Sequence, residues 1–436
     1  MISTITTGPE LRNAMTGQLE LTSRKHDAAP WLALLRRYGG WIALAVVVAV
    51  YYRRFSKESM NFADYLQGAA CLLTGQPMLE CAPAFPYTPA FALAIGPFLA
   101  LSPGLQNLVW YAILVASTVA CFAISEALAR CLYPAAAEGR KLIWLRILAV
   151  VLGLKFALAV FGFQAHDTPV FMLVLVGLWG LSVGRPVTAG AMLAIAAALK
   201  ATPLIFFPYL LLKRRFLAAS VFAVAFLAVC LLPDLLAALK GSRSDYFLTW
   251  VYQIASPTLR GSAPLNEAVA HAWSFATNNQ SLHGFVAFAM ARAGLAAYSK
   301  HADLAASAAF LLAVGILLIK SPRRDDFVGI DGAILSIAMI MLSPMTSRYH
   351  YVVLILPYTM LAAAFLSDHR TRLVGGAVLL LSFILVTATS NDAVGPWLST
   401  VSRENGFLPL GASVLLFYLA MIIWTSPRVT AAPPEP

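Results

Sequence analysis

The sequence predicts an all-α protein that crosses a membrane many times. Of its 436 residues, 60% are hydrophobic and only 12% are charged, whereas soluble domains have roughly 45–50% apolar and roughly 25% charged residues. This composition excludes a cytosolic enzyme and a disordered chain. The apolar residues form long continuous runs instead of an alternating pattern, which argues against an outer-membrane β-barrel. A polytopic helical membrane protein is the class that remains.

The apolar runs follow one another with short polar connections. The first thirty residues lack an apolar core, so no cleavable signal peptide is expected and the run 41–52 acts as the first anchor. Further runs lie near 87–102, 105–129, 142–161, 168–184, 187–212, 216–237, 303–320, 327–345, 350–367, 372–389 and 406–425. At about 20 residues per crossing they predict about twelve transmembrane helices. We therefore expect one membrane domain, 39–425, with cytoplasmic tails 1–38 and 426–436.

The distribution of charge predicts which loops face the cytoplasm. The net charge is 31 − 20 = +11, and excess Lys and Arg in membrane proteins concentrates in cytoplasmic loops. Basic clusters at 213–215, 320–324 and 369–372 are assigned to that side. The loops at about 53–86 and 238–302, and the short connections 163–167 and 343–350, then face outward. The positive charge suits anionic membrane lipids, and since no nucleic-acid motif accompanies it, no nucleic-acid partner is expected.

Two membrane segments and one outer loop carry signals for irregular structure. Residues 61–73 have the pattern of an amphipathic helix, and Gly75 is a suitable stop. The segment 87–102 contains Pro89, Gly96 and Pro97, which suits a broken or re-entrant helix. The run 187–212 is interrupted at 200–203, where two half-helices are expected to meet.

The cysteines allow two interpretations of the first outer loop. Cys71 and Cys81 lie close together in this loop and pair if it faces an oxidising compartment; spacing alone does not decide the question. Cys121 and Cys230 lie in apolar runs, where cysteine commonly serves as a packing residue.

Ionisable residues are costly inside a bilayer, so their positions are informative. Asp64 lies beside Tyr65 on the amphipathic helix; it is either an exposed carboxylate favoured by the helix dipole or a catalytic group. Lys200 lies in the middle of an apolar run, where a lysine must snorkel, pair or meet an anionic ligand. The adjacent helix break favours a ligand, since a broken helix frees backbone groups for binding.

Four polar clusters fall on the predicted outer face. Each alone is equally consistent with a turn, a helix start or an interfacial anchor. Their candidate binding residues are Tyr87, Gln164, His166, Asn279, Gln280, Arg348 and His350. No zinc-protease, phosphate-loop, dinucleotide or CxxC motif appears, so neither a metal nor another cofactor is expected.

The ordered set of these segments resembles glycosyltransferase family 87, integral-membrane glycosyltransferases of the GT-C type. The segments run in the family's order over about 62–366. They are Asp64-Tyr65, 72–77 (LLTGQP), Tyr87-Thr88-Pro89, 189–190 (AG), 197–203 (AALKATP), 208–211 (PYLL), 279–281 (NQS) and 343–351 (SPMTSRYHY).

The resemblance implies an inverting transfer of a sugar, with mannose favoured, from a polyprenyl-phosphate donor to a glycolipid or envelope glycan. The reaction would occur on the outer face of the cell's inner (plasma) membrane. Asp64 would be the general base, while Lys200, Arg348 and His350 would bind the donor phosphate. The residues implied in sugar or acceptor binding are Tyr65, Tyr87, Gln164, His166, Asn279 and Gln280.

A transporter or flippase of a lipid-linked sugar is the main alternative. It would also need many helices and a basic residue such as Lys200. Transporters, however, commonly show related halves with a site at the midplane between them. No related halves are evident here, and the polar clusters lie at one membrane boundary. A non-catalytic scaffold is a third interpretation, but it leaves the ordered clusters unexplained.

Overall fold

The computed structural model describes residues 50–53, 55, 61–241, 245–259, 264–265, 267, 269–270, 279–367 and 372–425. The chain divides into a unit Met1–Arg54, of which only the helical residues 50–53 are described, and a unit Phe55–Pro436. The tails predicted at 1–38 and 426–436, and most of the predicted anchor 41–52, lie outside the described residues. Within the described ranges the regular structure is helical and contains no strand. The predicted all-α class is confirmed.

The helices of the first half lead from the first polar loop to the basic segment at 213–215. They are α1 (Asn61–Leu73), α2 (Met78–Cys81), α3 (Pro89–Ile95), α4 (Pro103–Leu132), α5 (Gly139–Phe163), α6 (Asp167–Ser182), α7 (Pro186–Leu199) and α8 (Phe206–Leu212). Those of the second half are α9 (Phe216–Leu239), α10 (Tyr246–Trp250), α11 (Ser256–Leu259), α12 (Leu282–Arg292), α13 (Ser299–Lys320), α14 (Val328–Met341), α15 (Ile355–Ser367), α16 (Arg372–Thr387), α17 (Asn391–Glu404) and α18 (Phe407–Thr425).

Six described helical segments are long and apolar enough to cross a membrane. They are Pro103–Leu132, Gly139–Phe163, Phe216–Leu239, Ala296–Lys320, Arg348–Ser367 and Phe407–Thr425. A seventh is obtained if α16 and α17, bent by 82° at their junction, count as one broken span. A multi-pass membrane protein is thus confirmed. Within the described residues this is fewer than the predicted count of about twelve, because several apolar runs there form helices of 10–17 residues, shorter than a bilayer crossing requires.

Both predicted helix breaks are present. Helix α3 ends at Ile95 and gives way to a 3-10 turn, Gly96–Ala100, before α4 begins at Pro103. Helix α7 ends at Leu199, Lys200 has extended backbone angles, and a 3-10 turn, Thr202–Ile205, separates α7 from α8. Pro97 and Pro203 each occupy the second position of a 3-10 turn, where the missing backbone N–H costs nothing.

The first polar loop folds as the sequence predicts and is closed by a disulfide. Helix α1 spans the predicted residues, and Gly75 follows it with φ +76°, a left-handed conformation that favours glycine. Cys71 and Cys81 are bonded, with their Cα atoms 6.0 Å apart. The bond ties α1 to α2 and so restrains the position of α1 in this loop. Cys121 and Cys230 are free and buried, as expected.

Close helix packing brings the start of α6 and the end of α7 to one level. The two helices are joined by the short turn 183–185 and run in opposite directions. A Cβ added at Gly177 would lie 2.6 Å from Leu193 Cγ, and one at Gly180 would lie 3.3 Å from Ala189 N. Small residues at such positions allow membrane helices to approach closely. Asp167 and Lys200, at the paired ends, therefore become neighbours.

Candidate active site

Four chain segments meet at a small buried cavity. They are the start of α6, the break after α7, the end of α14, and the connection 343–350 that leads into α15. The polar residues in its wall are Asp167, Lys200, Thr202, Ser343, Thr346 and His350. The cavity measures about 20 Å³, which is room for roughly one water molecule. A sugar therefore enters only if the walls move apart.

An ion pair dominates the charge in this cavity. Lys200 Nζ lies 2.6 Å from Asp167 Oδ1, and the two side chains are 14% and 5% exposed. A charge withdrawn from water is stable only when it is paired and hydrogen-bonded. Of the three outcomes that the sequence allowed for Lys200, the structure shows pairing.

The second basic group in the cavity wall is His350. The backbone N–H of Ser347 donates to His350 Nδ1 at 2.9 Å. Because Nδ1 accepts this bond, the imidazole proton resides on Nε2. Nε2 lies 3.8 Å from Asp167 Oδ1, too far for a hydrogen bond. His350 therefore presents an N–H donor at the cavity wall that Asp167 does not take up.

Asp64 lies on α1 and is not among the residues that line the cavity. Its side chain is half-buried, and burial raises the pKa of this carboxyl above its usual value. Electrostatic interactions connect both Asp64 and Asp167 with the same two side chains, Tyr87 and Tyr349. Both carboxylates are therefore within electrostatic range of Tyr87 and Tyr349.

A buried aromatic cluster fixes α1 against the start of α6. Tyr65, the neighbour of Asp64, is fully buried, and its hydroxyl lies 2.9 Å from His166 Nδ1. The ring of His166 also contacts Tyr87 and Phe91, with centroids 4.5 and 4.2 Å away. Since His166 directly precedes Asp167, this cluster links the position of Asp64 to the ion pair. Three of the predicted binding residues, Tyr65, Tyr87 and His166, are therefore together.

The predicted amide residues hold backbone segments in place. Asn279 donates to the Pro344 carbonyl at 2.8 Å, and its Oδ1 accepts from Thr346 N at 3.2 Å. The backbone N–H of Gln280 donates to the Thr346 carbonyl at 2.6 Å. Both residues thereby fix the connection that carries His350. Gln164 caps α5 in a left-handed conformation and donates to the Phe55 carbonyl at 2.8 Å. Sugar contacts for these three amides stay predictions.

Arg348 lies on the same connection but outside the cavity wall. Its guanidinium stands over the ring of Phe163, 5.1 Å from the centroid. This cation–π contact places Arg348 beside the end of α5. A direct role at the donor phosphate stays a prediction for this residue.

Asp167 is the residue that sequence reasoning missed. From the sequence, Asp64 is the candidate catalytic carboxylate, and the connection 163–167 offers only Gln164 and His166 as candidate binding residues. The structure corrects this: a second carboxylate lies within the basic cluster. A signal existed in the sequence, because an intramembrane lysine needs a partner. In the part of the chain that the structure describes, no group of three or more His, Cys, Asp or Glu side chains is arranged to hold a metal ion.

Comparison with solved structures finds ArnT from Cupriavidus metallidurans, in a crystal structure bound to undecaprenyl phosphate. The sequences are 13% identical, the match covers 88% of this chain and 78% of that one, and the TM-score is 0.38. At so low a TM-score the likeness bears on neither the fold nor the chemistry of this chain. Among curated proteins no match is found.

The family comparison is decisive. The family model described as glycosyltransferase family 87 matches residues 85–344, more than half of the chain. The matched range contains Asp167 and Lys200, while Asp64 precedes it and His350 follows it. The resemblance inferred from the ordered motifs is thereby confirmed: the chain belongs to glycosyltransferase family 87 and is a membrane-embedded glycosyltransferase.

Proposed function

We propose that this protein transfers mannose, with inversion, from a polyprenyl-phosphate donor to a glycolipid or envelope glycan on the outer face of the inner membrane. The observation that carries the proposal is the pair of donors, Lys200 Nζ and His350 Nε2–H, at one buried cavity beside the helix that bears Asp64. The family supplies the reaction class. The donor, the sugar, the acceptor and the side of the membrane are the proposed elements.

The two donors suit a phosphate. Both now face Asp167 Oδ1, at 2.6 and 3.8 Å, and a phosphate oxygen accepts from the same groups. Hydrogen bonds between charged groups are about twice as strong as neutral ones, and in a water-excluded site they stabilise charge as it develops. Lys200, which has three protons, can keep Asp167 and still donate to a phosphate oxygen. Arg348, on the same connection as His350, is the third group proposed to bind the phosphate.

Asp64 is suited to act as the general base. Burial raises its pKa, and a carboxylate with a higher pKa is a stronger base. In the proposed step Asp64 takes the proton of the acceptor hydroxyl, and the acceptor oxygen bonds to the anomeric carbon. The bond from that carbon to the phosphate oxygen breaks, and its electron pair leaves with the phosphate. The leaving group departs as an anion, so no general acid is needed.

Two observations support an outward-facing site. Disulfides persist in oxidising compartments, and the Cys71–Cys81 bond lies on the loop of α1 and α2. The basic residues Arg323 and Arg324 precede α14, whereas the cavity lies at its other end, near Ser343. Basic clusters mark the cytoplasmic side, which supports a cavity on the opposite side. A lipid-linked donor follows, because nucleotide sugars are absent from that face.

Reconstitution tests this function directly. Purified protein in proteoliposomes would receive radiolabelled polyprenyl-phosphate mannose and an envelope lipid extract. We expect a labelled glycolipid, with no product from the Asp64→Asn variant. Movement of the donor between leaflets without any covalent product would overturn the proposal and favour the flippase. Mass spectrometry of envelope glycolipids with and without the protein gives the mass of the added sugar, and a residue other than a hexose would rule out mannose.

A further inference from the structure

The proposed chemistry leaves one buried group at the cavity unused. Asp167 Oδ1 accepts from Lys200, but Asp167 Oδ2 is buried without a hydrogen-bond partner in the described part of the chain. The whole residue is 5% exposed. Buried polar atoms are nearly always hydrogen-bonded, and a carboxylate oxygen left unpaired destabilises a folded protein. Asp167 lines the cavity, so its unpaired oxygen is an acceptor that a hydroxyl donor of a bound ligand would satisfy.

Resting on the proposed function, we propose that Asp167 determines the specificity for the donor sugar. Its Oδ2 accepts a hydrogen bond from the sugar hydroxyl on the carbon next to the anomeric carbon. Asp167 touches the donor but moves no proton in the transfer.

The division of the carboxylate between two partners identifies this hydroxyl. One oxygen is held by Lys200, and Lys200 and His350 face the position proposed for the phosphate. The other oxygen belongs to the same carboxylate, so a ligand atom that is hydrogen-bonded to it lies close to the proposed phosphate position. In a glycosyl phosphate, the hydroxyl beside the anomeric carbon is the sugar hydroxyl fewest bonds from the phosphate. Its O–H is a donor, which Oδ2 lacks.

A different role for Asp167 predicts the opposite change in binding affinity when its charge is removed. If the carboxylate only occupies Lys200 until a phosphate displaces it, removing its charge strengthens the binding of every polyprenyl phosphate, with or without a sugar. If Asp167 accepts from the sugar, removing its charge weakens the binding of sugar-bearing donors and does not weaken that of the bare lipid phosphate.

The chain offers a matched control for this comparison. Asp331 is a second buried aspartate paired with a lysine, with Lys213 Nζ 3.0 Å from its Oδ2. It lies at the start of α14, at the opposite end of that helix from the cavity. Asp331→Asn therefore reproduces the loss of a buried negative charge without touching the donor site.

The test measures dissociation constants of the full-length protein in nanodiscs for three probes. These are polyprenyl phosphate, polyprenyl-phosphate mannose and its 2-deoxymannose analogue. Wild type and Asp331→Asn should bind the mannose donor about 10- to 100-fold more tightly than the analogue, the usual effect of one hydrogen bond to a charged acceptor. Asp167→Asn should bind both alike, within about threefold, and should bind bare polyprenyl phosphate no more weakly than wild type does.

The remaining outcomes are also decisive. Undiminished discrimination in Asp167→Asn, or none in the wild type, overturns the assignment. Equal strengthening of all three probes in Asp167→Asn supports instead the role in which the carboxylate only occupies Lys200. If Asp167→Asn does not fold, the wild-type comparison still tests the inference. A wild type that binds the mannose donor and its 2-deoxymannose analogue equally well overturns it. Failure of the wild type to bind any of the three probes overturns the proposed donor itself, and this inference falls with it.

Discussion

Lys200 and Asp167 form a buried ion pair of 2.6 Å across 33 residues of sequence. One partner ends the helix before a break, and the other begins the helix that packs antiparallel to it. The pair thus links the helix break after α7 to the cavity. A substitution at either position removes one charge and leaves the other buried without its partner.

Lys200→Met is expected to reduce both stability and activity. Removing one partner of a buried pair leaves an uncompensated charge and typically costs about 3–5 kcal/mol. The double variant Lys200→Met with Asp167→Leu removes both charges, so thermal unfolding in detergent should return towards that of the wild type. Transfer should stay absent in both, because the phosphate contact is missing. Recovery of transfer together with stability would mean that Lys200 has only a structural role.

His350→Ala is expected to affect the donor more than the acceptor. The Nε2–H group faces the proposed phosphate position, so its loss should raise KM for the donor and leave KM for the acceptor nearly unchanged. His350→Gln, which keeps a side-chain N–H, should retain part of the activity. Steady-state kinetics with each substrate varied in turn checks this. Equal changes in both KM values would argue for a histidine that only shapes the connection 343–350.

The activity should have an acidic limb set by Asp64. Burial raises the pKa of this carboxyl above 3.8, and a general base must be ionised, so kcat/KM should fall as the pH drops through the raised value. A limb at or below the ordinary pKa of aspartate would contradict the assignment.

The same shift fixes the sign of a stability effect. The pKa of Asp64 is higher in the folded state than in the unfolded state, so ionisation of Asp64 makes folding less favourable above the folded-state pKa. Below the unfolded-state pKa the carboxyl is neutral in both states, and this unfavourable effect is lost. Asp64→Asn should therefore be no less stable than wild type at neutral pH, with any difference disappearing near pH 3.8. Because Asp64 is partly exposed, solvent screening keeps the effect small. Thermal unfolding at several pH values measures it.

Thiol labelling tests which side of the membrane α1 occupies. After mild reduction of intact cells, a membrane-impermeant maleimide should label Cys81, which is partly exposed, whereas Cys71 is buried. Cys131 is exposed near the end of α4, shortly before the basic residues Arg140 and Lys141 in the sequence, and serves as the internal control. It should react only after permeabilisation. The reverse pattern would place the proposed base on the cytoplasmic side.

Local chemistry made part of this fold predictable. The amphipathic pattern and Gly75 predicted α1 with its observed ends, and the prolines with Lys200 predicted the break after α7. These features depend on residues a few positions apart, whose effects on the backbone are direct. The family could be recognised for a similar reason, because its motifs are short and ordered.

The rest depends on long-range packing that a single sequence does not specify. The partner of Lys200 is 33 residues away, and Asn279 bonds a connection 65 residues further along. Asn279 therefore looked like a sugar ligand in the sequence, whereas in the structure its amide holds backbone groups. The number of spans was harder to predict because breaks shorten apolar runs without changing their composition.

Asp64→Asn in the reconstituted transfer assay tests the central claim most directly. Single-turnover transfer from polyprenyl-phosphate mannose would be measured for wild type, Asp64→Asn and the control Asp331→Asn, each with its folding checked by thermal unfolding. We predict a loss of at least ~10² in the rate for Asp64→Asn, with Asp331→Asn close to wild type per folded molecule. Near-normal turnover by folded Asp64→Asn would contradict the account.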